Sequence, residues 1–268
     1  MKVNWRERVY AAIIHFAITL VVAGLIGALI FFVWFPRSMA AMIGGADLFL
    51  LVLASDLVLG PLMSLVIYSS LKARRQLIID YSVVGAVQLA ALIYGVYVVS
   101  LSRPVFVAFD DNRLQIVTAI EIDDSRLAAA KEEQFRSLSW FGPKLVAVVR
   151  PTDAKELTEL LYKVYVGGEV DVPFRPQYYR EYDVVQQEIL EKSLPLSVLL
   201  TNSGSAKSTI EASVGAIGKS ADDMRWLLAH HRFGFGVAII DAKTAMPIKY
   251  LAIDPAWVSN QYRLNRAR

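Results

Sequence analysis

Three long apolar runs, about Val9 to Phe35, Leu48 to Tyr68 and Ile78 to Leu101, occupy most of the first hundred residues. Each reaches the roughly 20 residues that an α-helix needs to cross about 30 Å of hydrocarbon. Lipid offers no partner to a backbone N–H or C=O, so a run that enters it is committed to helix. The fold class that follows is a membrane protein: three transmembrane α-helices, about 9–35, 48–68 and 78–101, in a domain over 1–101. An α+β extracytoplasmic domain over 102–268 completes it.

Composition divides at the same place. The mean hydropathy of +0.43 is too high for an ordinary soluble chain, while 20% charged residues is too many for a wholly embedded one. Seven basic against four acidic residues precede residue 101, and the remainder balances at 21 of each. The net charge of +3 therefore flanks the apolar runs and forms no basic patch, so the chain reads as one with no nucleic-acid partner. Cysteine is absent, which excludes disulfides and thiol chemistry.

The basic start "MKVNWRER" invites a signal-peptide reading. The apolar run that follows exceeds the roughly 7–15 residues of such a segment, and no small-x-small cleavage site succeeds it, so the first span is expected to be retained. Lys2, Arg6 and Arg8 precede the first run, Lys72, Arg74 and Arg75 separate the second from the third, and Arg37 stands between the first two. Positive charge stays on the cytoplasmic side, which predicts a cytoplasmic N-terminus and 69–77 loop. The expected localisation is then a multi-pass protein of a bacterial inner membrane with a periplasmic C-terminal domain. Trp34, Phe35, Tyr97 and Arg103 fall where an outer interface favours aromatic and snorkelling groups.

Polar and small residues recur along one face of each span: His15 and Thr19 on the first, Asp56, Gly60 and Ser64 on the second, Gly85, Gln88 and Gly95 on the third. Small residues permit close approach and polar ones bond across helices, so these faces should meet. At about 1.5 Å per residue, Asp56 and Gln88 fall within a few ångströms of one depth, with Thr19 near them. An Asp56, Thr19, Gln88 hydrogen-bond cluster is the expectation. Pro61 withholds an N–H from the Leu57 carbonyl and should bend the second span, with Gly60 easing the bend. Asp56 has three readings: a structural lock of the bundle, a contact for another protein's intramembrane polar group, or part of an ion path. Three spans without a repeat or a second acidic residue at that depth are thin material for the last.

"GGAD" at Gly44 to Asp47 resembles a glycine-aspartate motif of aspartyl intramembrane peptidases, yet that chemistry needs two adjoining carboxylates, and Asp47 and Asp80 lie at opposite ends of the bilayer on this topology. Both are expected to cap helix starts. "SVGAIGKS" lacks the first glycine of a phosphate loop. Three histidines and no cysteine leave no metal site, no nucleophile setting is recognisable, and neither a catalytic residue nor a cofactor is expected.

In the second half, "PVFVAFD" and "NRLQIVTAIEI" read as a hairpin, "TDAKELTELLYKVYV" as a helix capped by Asp153, "QEILEKS" as another, and "FGVAIID" with "MPIKYLAID" as a closing hairpin. "SRLAAAKEEQFRSL" and "SADDMRWLLAHHR" also read as helices, the latter with Ser220 as N-cap. Within "VPFRPQYYREY", Phe174, Arg175, Tyr178, Tyr179, Arg180 and Tyr182 form either a partner-binding surface or an ordinary loop packed by its own tyrosines.

The first span ending "FVWFP", then "LFLLVLASDLVLGPLMSLVIY", "QLAALIYGVYVV" and "SRPVFVAFD", resemble the TfpX/TfpZ family of type IV pilin accessory proteins. The resemblance is carried by the first 110 residues or so, above all the Asp-x-x-x-Gly-Pro stretch and the Arg-Pro strand start, with "LAIDP" adding a weaker match. It implies a non-enzymatic, chaperone-like inner-membrane protein whose partners are its cognate type IV pilin and other pilus-assembly proteins. A pilin carries a buried glutamate near the start of its apolar helix, and His15 stands at a depth suited to bond it. The alternatives are a membrane-anchored enzyme modifying the pilin, such as a glycan transferase, and a periplasmic ligand sensor.

Overall fold

The structure, a computed structural model, describes residues 5–36, 38–69, 71–203 and 206–255. Lys2 and Arg37 of the charge argument lie outside the described residues, as do Gly204 and Ser205. The chain forms two compact units: the described parts of Met1–Val33 with Gly44–Ser102, and those of Trp34–Ile43 with Arg103–Arg268.

The first unit holds three helices long and apolar enough to cross a membrane. Helix α1 covers Trp5–Ala28 and continues as a π-helical turn over Leu29–Trp34. Helices α3 (Gly45–Ile67) and α4 (Arg74–Ser102) begin three or four residues before the apolar runs do. Polar residues extend an α-helix as readily as apolar ones, and Glu, Gln, Lys and Arg are good helix formers. Helix α3 runs through Pro61 unbroken. Its N-cap is Gly44 in the left-handed region, without a side-chain cap, and Asp47 sits in the first turn. Asp80 lies inside α4 and pairs with Lys72 at 2.6 Å, so it is an ion-pair partner and not the cap that its position before the third run suggested. Helix α3 packs against both α1 and α4.

The second unit is a mixed sheet with helices. Strands β1 (Pro104–Asp110), β2 (Arg113–Thr118), β3 (Lys144–Val148), β4 (Tyr179–Glu181), β6 (Met224–His231), β7 (Gly234–Asp241) and β8 (Pro247–Leu251) follow the order β4-β3-β1-β2-β6-β7-β8, and the two-residue β5 (Leu194–Pro195) pairs with β6. Pairs β1–β3 and β2–β6 are parallel and the others antiparallel. One core, with Phe106, Phe135 and Tyr179, lies with α5 (Asp124–Ala128) and α6 (Ala154–Tyr165). A second, with Trp226, Val237 and Ile239, lies with α8 (Leu196–Asn202) and α9 (Lys207–Gly215). Both expected hairpins form, Asp153 caps α6 through Lys155 and Glu156 N–H, and α7 covers Gln186–Lys192.

Two helix expectations are corrected. "SADDMRWLLAHHR" forms one 3-10 turn at Ala221–Asp223, capped by Ser220 as expected, and then β6, which sits between β2 and β5 on one edge and β7 on the other. Buried inside a sheet, its apolar residues run together without the alternation that marks a half-exposed strand. "SRLAAAKEEQFRSL" gives only α5 and a 3-10 turn at Glu133–Phe135. The Arg136 Nε donates at 3.0 Å to the Ala130 carbonyl, which a continuing helix would have offered to the residue 134 N–H.

Short helix α2 (Met39–Ile43) belongs to the second unit and packs on β8. Met39 and Ile43 are buried, and a Cβ at Gly236 of β7 would come within 2.7 Å of the Leu251 carbonyl and against the Met42 sulfur, so glycine there is what admits α2.

The strand register gives the sheet two unlike ends. Pro104 pairs with Thr118, Phe106 with Lys144, and Gln115 with His230. Arg103, the 119–121 turn, the 139–143 loop and the β6–β7 tip at Arg232 and Phe233 therefore share one end. The opposite end carries Asp110, Asp111, Arg150, Asp223 and Asp241.

Candidate functional site

The polar residues of the three apolar helices meet, in a combination the depth estimate did not give. His15 Nδ1 lies 2.7 Å from Ser64 Oγ and its Nε2 lies 3.0 Å from Gln88 Oε1, so one ring joins all three helices. With the Gln88 carbonyl oxygen accepting, the ring proton sits on Nε2 and Nδ1 accepts from the Ser64 hydroxyl. Tyr81 stands 6.4 Å away, ring to ring. Gly60 makes the junction possible: a Cβ there would lie 2.5 Å from Gln88 Nε2 and 2.8 Å from His15 Nε2. Near the end of α3, Arg8 donates to the Leu65 carbonyl at 3.0 Å, one of the carbonyls a helix end leaves unpaired.

From this knot a cleft of about 250 Å³ extends along the helices, bounded by His15, Gly85 and Gln88 at one end and by Ile30, Phe49 and Val99 at the other. The fifteen steps from His15 to Ile30 correspond to about 22 Å of helix. Its walls are apolar apart from Thr19, Asp56 and the knot. That volume leaves room for a few inserted side-chain groups.

Asp56 lines this cleft with 9% of its surface exposed, and among the described residues its carboxylate has no hydrogen-bond or ion-pair partner. Thr19 lines it too, but the expected Asp56, Thr19, Gln88 cluster is not a bonded one, because Gln88 is engaged by His15. A carboxylate in an apolar recess without a partner is costly, so an occupant that donates a hydrogen bond would be favoured there. Pro61, one residue on from Gly60, has no donor of its own.

In the segment 172–182 most of the named side chains turn inward. Tyr179 is fully buried and donates to the Pro173 carbonyl at 2.5 Å, and Tyr182 is buried and donates to the Ala245 carbonyl at 3.0 Å. Burial pushes both phenols above their ordinary range. Arg175 is buried, donating to the Val170 carbonyl at 2.9 Å and to Glu169 at 2.7 Å. Phe174 and Tyr178 pack against the β1–β3 core, and Arg180 donates to the Tyr179 carbonyl. Aromatic and arginine content alone does not separate an interface from a well-packed loop.

The remaining polar cluster ties strands together. Asp110 lies 2.6 Å from Arg150 and 3.4 Å from Arg113, which also reaches Asp171 at 3.4 Å. Burial raises the Asp110 pKa while both guanidiniums oppose it. His230 Nδ1 sits 2.6 Å from Gln115 Oε1 with its ring stacked on Phe235, and burial, with Arg113 nearby, lowers its pKa. His230 and His231 are neighbours on a strand and so point to opposite faces. Among the described residues no three His, Asp or Glu side chains are grouped to hold a metal. "SVGAIGKS" begins at the end of α9 instead of after a strand, and its Lys219 pairs with Asp241 at 2.5 Å.

The family model "Fimbrial assembly protein FimB" matches residues 3–44. A fimbrial assembly protein of Dichelobacter nodosus serogroup I is 34% identical over 184 residues, covering 69% of this chain and 70% of that one. Its serogroup E1 counterpart matches at the same identity and coverage. One from serogroups C1 and C2 is 38% identical over 109 residues, 41% of this chain and 83% of the relative. No solved structure matches it.

Proposed function

This chain belongs to the fimbrial assembly protein family, and from that premise we propose that it is a three-span membrane protein that binds its cognate type IV pilin and assists pilus assembly without catalysing a reaction. In this reading the N-terminus and the 69–77 loop face the cytoplasm, and the α/β unit, residues 103 onward with 34–43, stands outside the inner membrane. A pilin awaiting assembly presents one apolar helix and an external head, and the apolar helices here offer it a lateral recess.

The observation that carries the proposal is the cleft, with the unpartnered Asp56 along an otherwise apolar wall. A helix laid against the opening would insert side chains into it and offer Asp56 a donor, a contact worth about 1–2 kcal/mol where no water competes. Small residues at Gly85 and Gly95 let a backbone come close. Ser64 and Gln88 are taken up by His15 and serve the bundle itself.

Site-directed photocrosslinking in piliated cells tests this. A photoreactive residue replacing Leu92, which lines the cleft, should capture the pilin, whereas one replacing its neighbour Ile93, 61% exposed and outside the cleft lining, should not. Equal capture from both positions, or capture from Ile93 alone, would refute the cleft as the pilin site.

A further inference from the structure

The end of the sheet from which the chain departs toward its apolar helices is the apolar one. Phe141 is 89% exposed, Phe233 71%, Trp140 56% and Ile120 53%, and the strand register brings all four to that end. They come from three separate connections: the turn after β2, the loop before β3 and the β6–β7 tip. An exposed apolar set assembled from three loops at one end of a domain is not the scatter of single residues that any surface shows.

Two contacts fix what stands beside it. The Trp140 ring lies 6.2 Å from the ring of Trp34, the last residue of the first apolar helical run, and the Arg103 guanidinium lies 4.0 Å over Trp140. Arg103 immediately follows α4. Trp140 is thus one ring away from two points at which apolar helices stop. If those helices end at the lipid–water boundary, chain connectivity places Trp140 there too. Arg232, exposed at the β6–β7 tip beside Phe233, adds a cation to the same rim.

We propose that Ile120, Trp140, Phe141 and Phe233 form a lipid-contacting rim, by which the α/β unit rests its sheet end on the outer surface of the bilayer. The partner is a phospholipid surface: rings suit the boundary between headgroups and acyl chains, and the exposed Arg232 suits phosphates. The opposite end of the sheet, with the exposed Asp111, Asp223 and Lys243, has the composition of a face turned to water. This inference rests on the membrane reading of the three apolar helices.

The chain has no cysteine, so single labels can be read without background. Phe141→Cys, Phe233→Cys, Lys243→Cys and Leu25→Cys, all at exposed positions, are each labelled with a nitroxide on the full chain in phosphatidylcholine vesicles. Labels at 141 and 233 should relax more with dissolved oxygen, which partitions into lipid, than with an aqueous nickel chelate, and the label at 243 should do the reverse. The label at 25, about 14 Å of helix before Trp34 and so near the bilayer midplane, should be the most oxygen-accessible. A lipid-exposed label at 25 with water-exposed labels at 141 and 233 overturns the rim and leaves the membrane reading standing. Labels at 141 and 233 shielded from both reagents mean that protein covers them, which also overturns it. A water-exposed label at 25 overturns both.

Discussion

Replacing Gly60 by alanine isolates what the His15 knot contributes to the helical unit. The added Cβ would lie 2.5 Å from Gln88 Nε2 and 2.8 Å from His15 Nε2. Both atoms end side chains that can swing aside, so the cost is the bonding they give up and not an unrelieved clash. Two bonds are at stake, at 2.7 and 3.0 Å. Interhelical side-chain bonds in membranes measure about 0.6 kcal/mol on average and up to about 1.7, which makes the loss about 1–3 kcal/mol. Alanine also gains roughly 1 kcal/mol of helix propensity over glycine in water. That offset is measured directly by Gly85→Ala, where a Cβ meets nothing within 4 Å. In reversible SDS-driven unfolding from mixed micelles, Gly60→Ala should therefore be less stable than Gly85→Ala by about 1–3 kcal/mol. In a Gln88→Ala background the vacated space should shrink that difference by at least 0.5 kcal/mol, beyond the scatter of additive pairs. A Gly60→Ala variant as stable as Gly85→Ala, or a penalty unchanged by removing Gln88, would refute the knot.

Asp56→Leu should raise resistance to SDS, since aspartate and leucine differ by about 3–4 kcal/mol at the centre of a membrane helix, while reducing pilin co-purification; Asp56→Asn, which keeps hydrogen-bonding capacity, should retain the pilin. Pilin recovery unaffected by Asp56→Leu would remove the cleft from the function. In the α/β unit, Lys219, followed by the backbone N–H groups of Thr244 and Lys243, holds the Asp241 carboxyl well below its ordinary range. A carboxyl whose folded pKa is depressed contributes stability that is complete above its unfolded value, about 3.9, and is lost as pH falls toward the folded value. Asp241→Asn should therefore flatten the decline of the urea midpoint below about pH 4, and an unchanged acid limb would count against the turn's role.

Features that depend on local pattern were legible in the sequence. The three apolar helices, the Asp153 cap, the turn at Asp111 and the β7–β8 hairpin each follow from neighbouring residues. Strand β6 was not legible, because a strand buried within a sheet and a buried helix share the same unbroken apolar run, and the genuine Ser220 cap closes only a single 3-10 turn. His15, Gly60, Ser64 and Gln88 come together from the polar helix faces while Asp56 lines the cleft beside them, and depth along an axis cannot assign such partners. That assignment depends on helix rotation and on the reach of an imidazole with a hydrogen-bonding atom at either side. Nor did any local signal mark 34–43 as part of the sheet unit, since its docking site, Gly236 beside Leu251, lies about two hundred residues away in sequence.

That remote docking bears on how the protein can be taken apart. A fragment cut at Arg103 would look like a self-contained domain, yet it would lack Trp34, Phe35, Met39, Met42 and Ile43, all buried in the intact chain. Gly236 would face an empty slot beside β8, and Trp140 would lose its aromatic neighbour. A soluble version that keeps the fold must restore 34–43, by fusing it through a linker to one terminus of 103–268. The same closure sets a schedule during synthesis: α2 emerges early and has nothing to bind until β8, the last of the described strands, is made.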